Sequence, residues 1–182
     1  MNELTLTNLL LERFVNLHNP QEMSKYIDVI WDILEKSYAK IGGFKSAKDK
    51  EDLMRKSGLT KLVVKDGRVV AVKIYKDELG RKSIAGGTDG SMEGKRWLIK
   101  ISQEDIQQNR AWGEVSGAME HIMLKNGAVP IPSSIAAKIL GKPILSYDPD
   151  GYHYTREIMG EPHTKIMVGD VDKLLTALEA GK

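Results

Sequence analysis

Apolar positions along the chain switch between two periods, and the switches mark the predicted elements. Leu6, Leu9, Leu10, Arg13, Phe14 and Leu17 recur at helical spacing and predict a first helix over residues 4–17, ended by Asn19-Pro20. From Gln21 a stronger stripe of Met23, Tyr26, Ile27, Ile30, Trp31, Leu34 and Tyr38 predicts a second helix, stopped at Gly42-Gly43. Ser46 begins a short third helix with Asp49 as a stand-in for the acid of a capping box, and Gly58 ends it. The period then changes to that of strands. Leu62, Val63 and Val64 lead to Asp66-Gly67, a strong hairpin signal, and Val69, Val70, Val72 and Ile74 form the return strand. Leu79-Gly80 makes the next turn, and a third strand through Ser83 to Ala85 runs into Gly86-Gly87-Thr88-Asp89-Gly90. Paired glycines in a strand leave its backbone open to close approach, so this end of the meander is a candidate site.

Beyond Gly90 the pattern predicts a helix from Ser91 to Asn109, although the run Trp97 to Ile101 also suits a fourth strand. Trp112, Val115, Met119, Ile122 and Met123 predict an amphipathic helix ending at Asn126-Gly127. A brief strand near Ala128 to Pro132, a small helix from Ser133 to Leu140 and an extended run to Tyr147 follow. Two strands, Tyr152 to Met159 and His163 to Val168, precede a closing helix opened by Asp170. The organisation expected is an extension over residues 1–20, a single domain over 21–169 and a terminal helix over 170–182.

Composition narrows the class without naming a chemistry. A chain of 182 residues with 41% apolar and 29% charged residues is that of an ordinary globular protein. A formal charge of +2 is too small to imply nucleic acid, and acids interrupt the basic run Lys45, Lys48, Lys50, Arg55, Lys56, Lys61 and Lys65, so a solvated face is expected there. With no cysteine there are no disulfides and no thiolate metal sites, in keeping with a reducing compartment. No apolar run approaches the ~18 residues of a membrane span, and the first residues lack the pattern of a secretory signal. A cytoplasmic location with no membrane partner is the expectation.

Candidate chemistry is found mostly by elimination. The nucleophile elbow, the phosphate-binding loop of nucleotide triphosphatases and the dinucleotide fingerprint are all missing from the sequence. His153 and His163, near Asp148 and Asp150, are the one place for a two-histidine metal site, but their spacing fits no dedicated motif and no metal is expected. Arg110-Ala111-Trp112-Gly113-Glu114-Val115-Ser116-Gly117 stands where the amphipathic helix is predicted to start. An arginine, a glycine and free N–H groups at a helix N-terminus suit an anion, and close helix packing is the competing reason for those glycines. On the late strand, Tyr152, Tyr154 and Arg156 share one face.

This order of helices, glycine-ended meander, helix with an arginine and glycine at its start, and terminal hairpin resembles the GNAT superfamily, the acyl-CoA-dependent N-acyltransferases. The run Gly151-Tyr152-His153-Tyr154-Thr155-Arg156 to Lys165-Ile166-Met167-Val168-Gly169 is similar to the closing hairpin of such domains, and the texture of the chain is similar to that of proteins of large tailed phages. The resemblance covers residues 21–169 and implies an α/β (α+β) fold, a mixed and mostly antiparallel sheet flanked by helices, here with an extra N-terminal helix. It implies acetyl-CoA or another acyl-CoA as cofactor and an amine-bearing small molecule or protein as acceptor. Ala85, Gly86 and Gly87 would pair with the pantetheine arm, and Arg110, Trp112 and Gly113 would hold the pyrophosphate. Asp89 or Glu114 would be the base and Tyr154 the acid. Three departures stand against the pattern: Val115 replaces a small residue, residues 91–109 are an insert before the loop, and the family's first strand is missing. A GNAT-like module that binds a partner or virion component without catalysis is the alternative.

Overall fold

The computed structural model describes residues 13–108, 110–141 and 144–181. Nine strands and seven helices are found among them. The chain divides into two compact units: Met1–Lys76 with Ile84–Ile101, and Asp77–Ser83 with Ser102–Lys182.

In the first unit the strands run in the order β1 (Arg13–Leu17), β2 (Leu59–Lys65), β3 (Arg68–Asp77) and β4 (Arg81–Thr88). The pairs β1/β2 and β2/β3 are antiparallel. Strand β3 carries the unit: Val70, Ala71, Val72, Ile74 and Tyr75 are all buried, an apolar run broken only by the buried Lys73, as in a strand covered on both faces. Asp66-Gly67 and Leu79-Gly80 have positive φ at both positions (48° and 74°, 49° and 89°), the backbone that two-residue hairpins need to match strand twist. The predicted meander is therefore observed.

Four predicted elements are corrected in this unit. Arg13, Phe14 and Leu17 lie on strand β1, not on a helix, and the remainder of the predicted first helix falls outside the described residues. The exposed edge of β2 supplies a ladder from Arg13↔Val64 to Leu17↔Thr60, and that pairing overrides the weak helical spacing of a short run. Asn19-Pro20 starts a helix instead of ending one. The Asn19 side chain accepts from the Glu22 N–H at 2.9 Å and Pro20 takes the first turn, where its missing N–H costs nothing. The long second helix is broken into α1 (Pro20–Ser24) and α2 (Ile27–Tyr38), and α2 ends through a short 3-10 turn at Gly42, φ 91°. Helix α3 (Lys50–Lys56) is capped by Asp49, which accepts from the Asp52 N–H at 2.8 Å, while Ser46 bonds elsewhere. Met23, Ile30, Leu34 and Leu53 of these helices bury against Leu62, Val72 and Ile74 of the sheet.

Helix α4 (Met92–Gln107) follows β4, confirming a helix over most of residues 91–109; its first ten residues belong to the first unit. Gly94 on α4 is required by packing, since a Cβ there would meet the Val70 carbonyl oxygen at 2.3 Å. The basic run is largely engaged: Lys50 pairs with Asp28, Arg55 and Lys56 with Asp52, and Lys65 with Glu93.

The second unit holds the start of β4, then β5 (Trp112–Val115), β9 (Glu161–Val168), β8 (Tyr154–Ile158) and β7 (Ile144–Tyr147), with β6 (Pro130–Ile131) also on β9. The β4/β5 pair is parallel and every other pair here is antiparallel. Strand β9 separates two cores, because alternate residues point to opposite faces. Met167 packs with Trp112, Ile131, Tyr154 and residues of α6 (Ser133–Leu140) and α7 (Val171–Ala180). Ile166 and Val168 pack with Ile106 and with Met119 and Met123 of α5 (Gly117–Lys125). No helix of the described residues is long and apolar enough to cross a membrane.

Candidate functional site

The register of the second unit places an ionic cluster on one sheet face. Lys82 is opposite Trp112, Glu114 opposite Met167, Tyr154 opposite Lys165 and Arg156 opposite His163. Directly opposed residues point to the same side, and so do residues two apart on a strand. These side chains therefore converge. Glu114, with its side chain 6% exposed, is the hub: Tyr154 donates to its Oε1 at 3.1 Å, Arg156 Nη2 meets its Oε2 at 2.8 Å, and Lys82 Nζ lies 3.8 Å from the same oxygen. Lys82 also reaches Glu78 Oε1 at 3.5 Å and sits 4.7 Å from the centroid of the Trp112 ring, whose Nε1 donates to the Glu78 carbonyl at 2.9 Å.

Burial sets the proton affinities here. Loss of solvent, then the Glu114 charge and hydrogen bond, push the Tyr154 phenol well above its ordinary value, so it keeps its proton. Burial lowers Lys82 and Lys165 from the usual lysine value. The Glu114 carboxylate opposes both shifts, and the Arg156 guanidinium adds to them.

The first unit supplies the end of the meander. Asp89 N–H donates to the Val70 carbonyl at 3.0 Å, so Asp89 faces β3. By alternation the N–H groups of Gly86 and Thr88 face the other edge of β4. That edge is bonded by side chains from outside the sheet. Thr88 N–H donates to Ser37 Oγ at 3.0 Å, Gly86 N–H to the Tyr38 hydroxyl at 3.4 Å, and Ser46 Oγ donates to the Ile84 carbonyl at 2.9 Å. Burial raises the Tyr38 phenol above its ordinary value, against the Gly86 hydrogen bond. A Cβ on Gly86 would meet Leu98 Cδ1 at 3.1 Å, and one on Gly87 would meet Ser37 Oγ at 2.8 Å and Ile33 Cγ2 at 3.0 Å. The missing side chains of these glycines make room for α2 and α4, and Ala85 is buried in the core.

Arg110, Trp112 and Gly113 do not form a loop at a helix start, which corrects their predicted placement. Trp112 and Gly113 are on β5, with Gly113 paired to Ser83 and Val168, and the following helix α5 begins only at Gly117. The ladders available on both sides of this short run outweigh its helical spacing. Arg110 lines a groove of about 530 Å³ with Asp77, Arg81, Trp112, Asp170 and Lys173. The helix that follows β4 is α4, and the turn from Thr88 to Ser91 joins the two. There Ser91 Oγ accepts from the Gly94 N–H at 3.0 Å, and Asp89 Oδ1 accepts from the Ser91 N–H at 2.9 Å.

Of the predicted chemical residues, Glu114 and Tyr154 are brought together, while Asp89 lies in the other unit and holds Ser91. Tyr152 does not share their environment and is 45% exposed. His153 bonds Glu120 at 2.9 Å, and His163 Nε2 lies 3.8 Å from Glu161. No group of three metal-ligating side chains is found among the described residues. Lys82, Lys165, Ser37 and Tyr38 escaped sequence reasoning. Lys165 had a signal: it stands two residues from Met167, so strand parity turns it inward.

No protein-family model matches the chain, and no curated protein matches it. Solved structures do. The chain is similar to the ribosomal-protein-S18-alanine N-acetyltransferase from Escherichia coli, with TM-score 0.52 and 15% identity over 87% of this chain and 92% of that one. It is also similar to the IAA acetyltransferase from Bacillus cereus ATCC 14579, with TM-score 0.43 and 12% identity over 87% and 97%. At 15% identity the likeness to the first of these speaks to fold, and the mixed, mostly antiparallel sheet flanked by helices is GNAT-like.

Proposed function

We propose that this protein is a cytoplasmic acyltransferase that moves an acyl group from an acyl-CoA, acetyl-CoA foremost, to the amine of a small molecule or protein. The observation that carries the reading is the buried Glu114–Tyr154 hydrogen bond in a GNAT-like fold. Amide formation from an ammonium needs an acceptor for the nitrogen's proton and a donor for the leaving group. Glu114 is the acceptor and Tyr154, which keeps its phenolic proton, is the donor. The ammonium's first proton goes to solvent as the amine is freed, and Glu114 takes the second from the attacking nitrogen. Because the two residues are bonded, that proton returns to the Tyr154 oxygen once Tyr154 has protonated the leaving thiolate, which resets the pair. Acyl-CoA would supply the activated thioester and its thiol leaving group.

The fit to acyl-CoA rests on β4. Ala85, Gly86 and Gly87 would hold the pantetheine arm on the edge that Ser37, Tyr38 and Ser46 now bond, an exchange of one set of hydrogen bonds for another. At the opening of α4, Asp89 places a negative charge where a diphosphate would bind. Those two features favour a second reading, a GNAT-like binding module that has kept the fold without the cofactor.

Calorimetric titration of CoA separates the two readings. The enzyme reading expects saturable binding and amine-dependent thiol release. Tyr154→Phe should lower kcat by about 10²–10⁴-fold with CoA affinity unchanged. No binding to the native protein at about 1 mM CoA, a free energy weaker than about 4 kcal/mol, establishes the module instead.

A further inference from the structure

The ionic cluster of the second unit is short of one negative charge. Lys82, Arg156 and Lys165 bring three positive charges to the face around Glu114, and Glu78 adds a second carboxylate beside Lys82. The side chains of Lys82 and Arg156 are only 11% and 17% exposed, so water compensates them little. The Lys165 side chain makes no hydrogen bond or ion pair among the described residues. Among the described residues, two buried nitrogens on the same face, Arg156 Nε and His163 Nε2, have no hydrogen-bond partner, with the Glu161 carboxylate 3.8 Å from the histidine nitrogen. Arg156 and His163 are directly opposite across β8 and β9, next to the opposed pair of Tyr154 and Lys165. Buried cations and orphaned N–H groups are costly unless something pairs with them.

We infer that Arg156 Nε and Lys165, bordered by His163, form a subsite for a monoanionic carboxylate, and that the acceptor substrate is an amino-carboxylate whose ammonium group meets Glu114. As an acceptor subsite it rests on the acyl-transfer reading. A carboxylate brings the single charge that is missing and two oxygens for two donors, one on the guanidinium and one on the ammonium. A phosphate dianion would overshoot that charge and leave its third oxygen unserved. One guanidinium spans both contacts, since Arg156 Nη2 is on Glu114 and Nε is the unpartnered nitrogen. The amine and carboxylate of the substrate are therefore separated by few bonds, as in an α- or β-amino acid.

Calorimetry without CoA tests the subsite apart from the acyl-transfer reading. The probes are glycine, L-alanine and β-alanine, against ethylamine, glycine methyl ester and inorganic phosphate. The expected result is binding of at least one amino acid, with the two uncharged-end amines at least about tenfold weaker and phosphate weaker still. Lys165→Gln removes a cation that holds no ion pair, so it should fold at least as stably as the native protein and bind the amino acid roughly tenfold to a hundredfold more weakly. Equal binding of glycine and its methyl ester, undiminished binding by Lys165→Gln, phosphate preferred over every amino acid, or no binding of any probe would each overturn the proposal. Amino-acid binding without thiol release from acetyl-CoA would leave the carboxylate subsite standing and reject the acyl-transfer reading.

Discussion

Glu114→Gln is the most informative single change. The substitution keeps the shape of the side chain but removes the one charge that Arg156 Nη2 and Lys82 Nζ share, at 2.8 and 3.8 Å. It also turns one acceptor oxygen into an NH2 group facing either the Tyr154 hydroxyl or the Arg156 guanidinium, both of them donors. Removing one partner of a buried ion pair leaves its cations uncompensated, at a cost of about 3–5 kcal/mol. For a protein of this size that corresponds to a fall in Tm of roughly 6–20 °C, at about 2–4 °C per kcal/mol. The cost should be partly relieved by a second change, Arg156→Gln, which removes the cation Glu114 served best, giving a coupling energy of about 0.5–3 kcal/mol. Urea unfolding of the native protein, both single variants and the double variant measures it, with Trp112 fluorescence as a local reporter in a background lacking Trp31 and Trp97. A loss below about 0.5 kcal/mol for Glu114→Gln, the range of ordinary surface substitutions, would refute the reasoning that this carboxylate balances a buried cationic cluster.

Gly87→Val should destabilise the first unit by about 1–3 kcal/mol, because its Cβ would stand 2.8 Å from Ser37 Oγ and 3.0 Å from Ile33 Cγ2; denaturant midpoints check it, and an unchanged midpoint shows that α2 gives way freely. Asp89→Asn should tighten CoA binding by roughly twofold to fivefold, the scale of one exposed charge contact, whereas a large drop in turnover with affinity unchanged would make Asp89 the base. Asp52 should govern part of the acid unfolding. The Lys56 contact, then the Lys48 N–H and Arg55, hold its carboxyl well below the ordinary aspartate value of 3.8. A lowered folded-state value means stability that is complete above the unfolded value and lost as pH falls below it. Asp52→Asn should therefore flatten the dependence of Tm on pH below about pH 4, and an unchanged slope would show that the contact is not formed in solution.

Local reading located the meander, because the short β-branched runs of β2 and β3 flank Asp66-Gly67, whose turn admits one local structure. The order of elements sufficed for a GNAT-like reading of the fold. Residues 13–17 and 112–115 were beyond local reading. Both runs are four or five residues long, carry helical spacing by accident, and become strands only because a ladder partner from far along the chain is there to take their N–H and C=O groups. The same non-local pairing decided the chemistry. Nothing in the neighbourhood of Lys82, Glu114, Arg156 or Lys165 in sequence marks them as companions. The registers of β4 with β5, β5 with β9 and β8 with β9 turn them to one face, where burial makes their charges answer to each other.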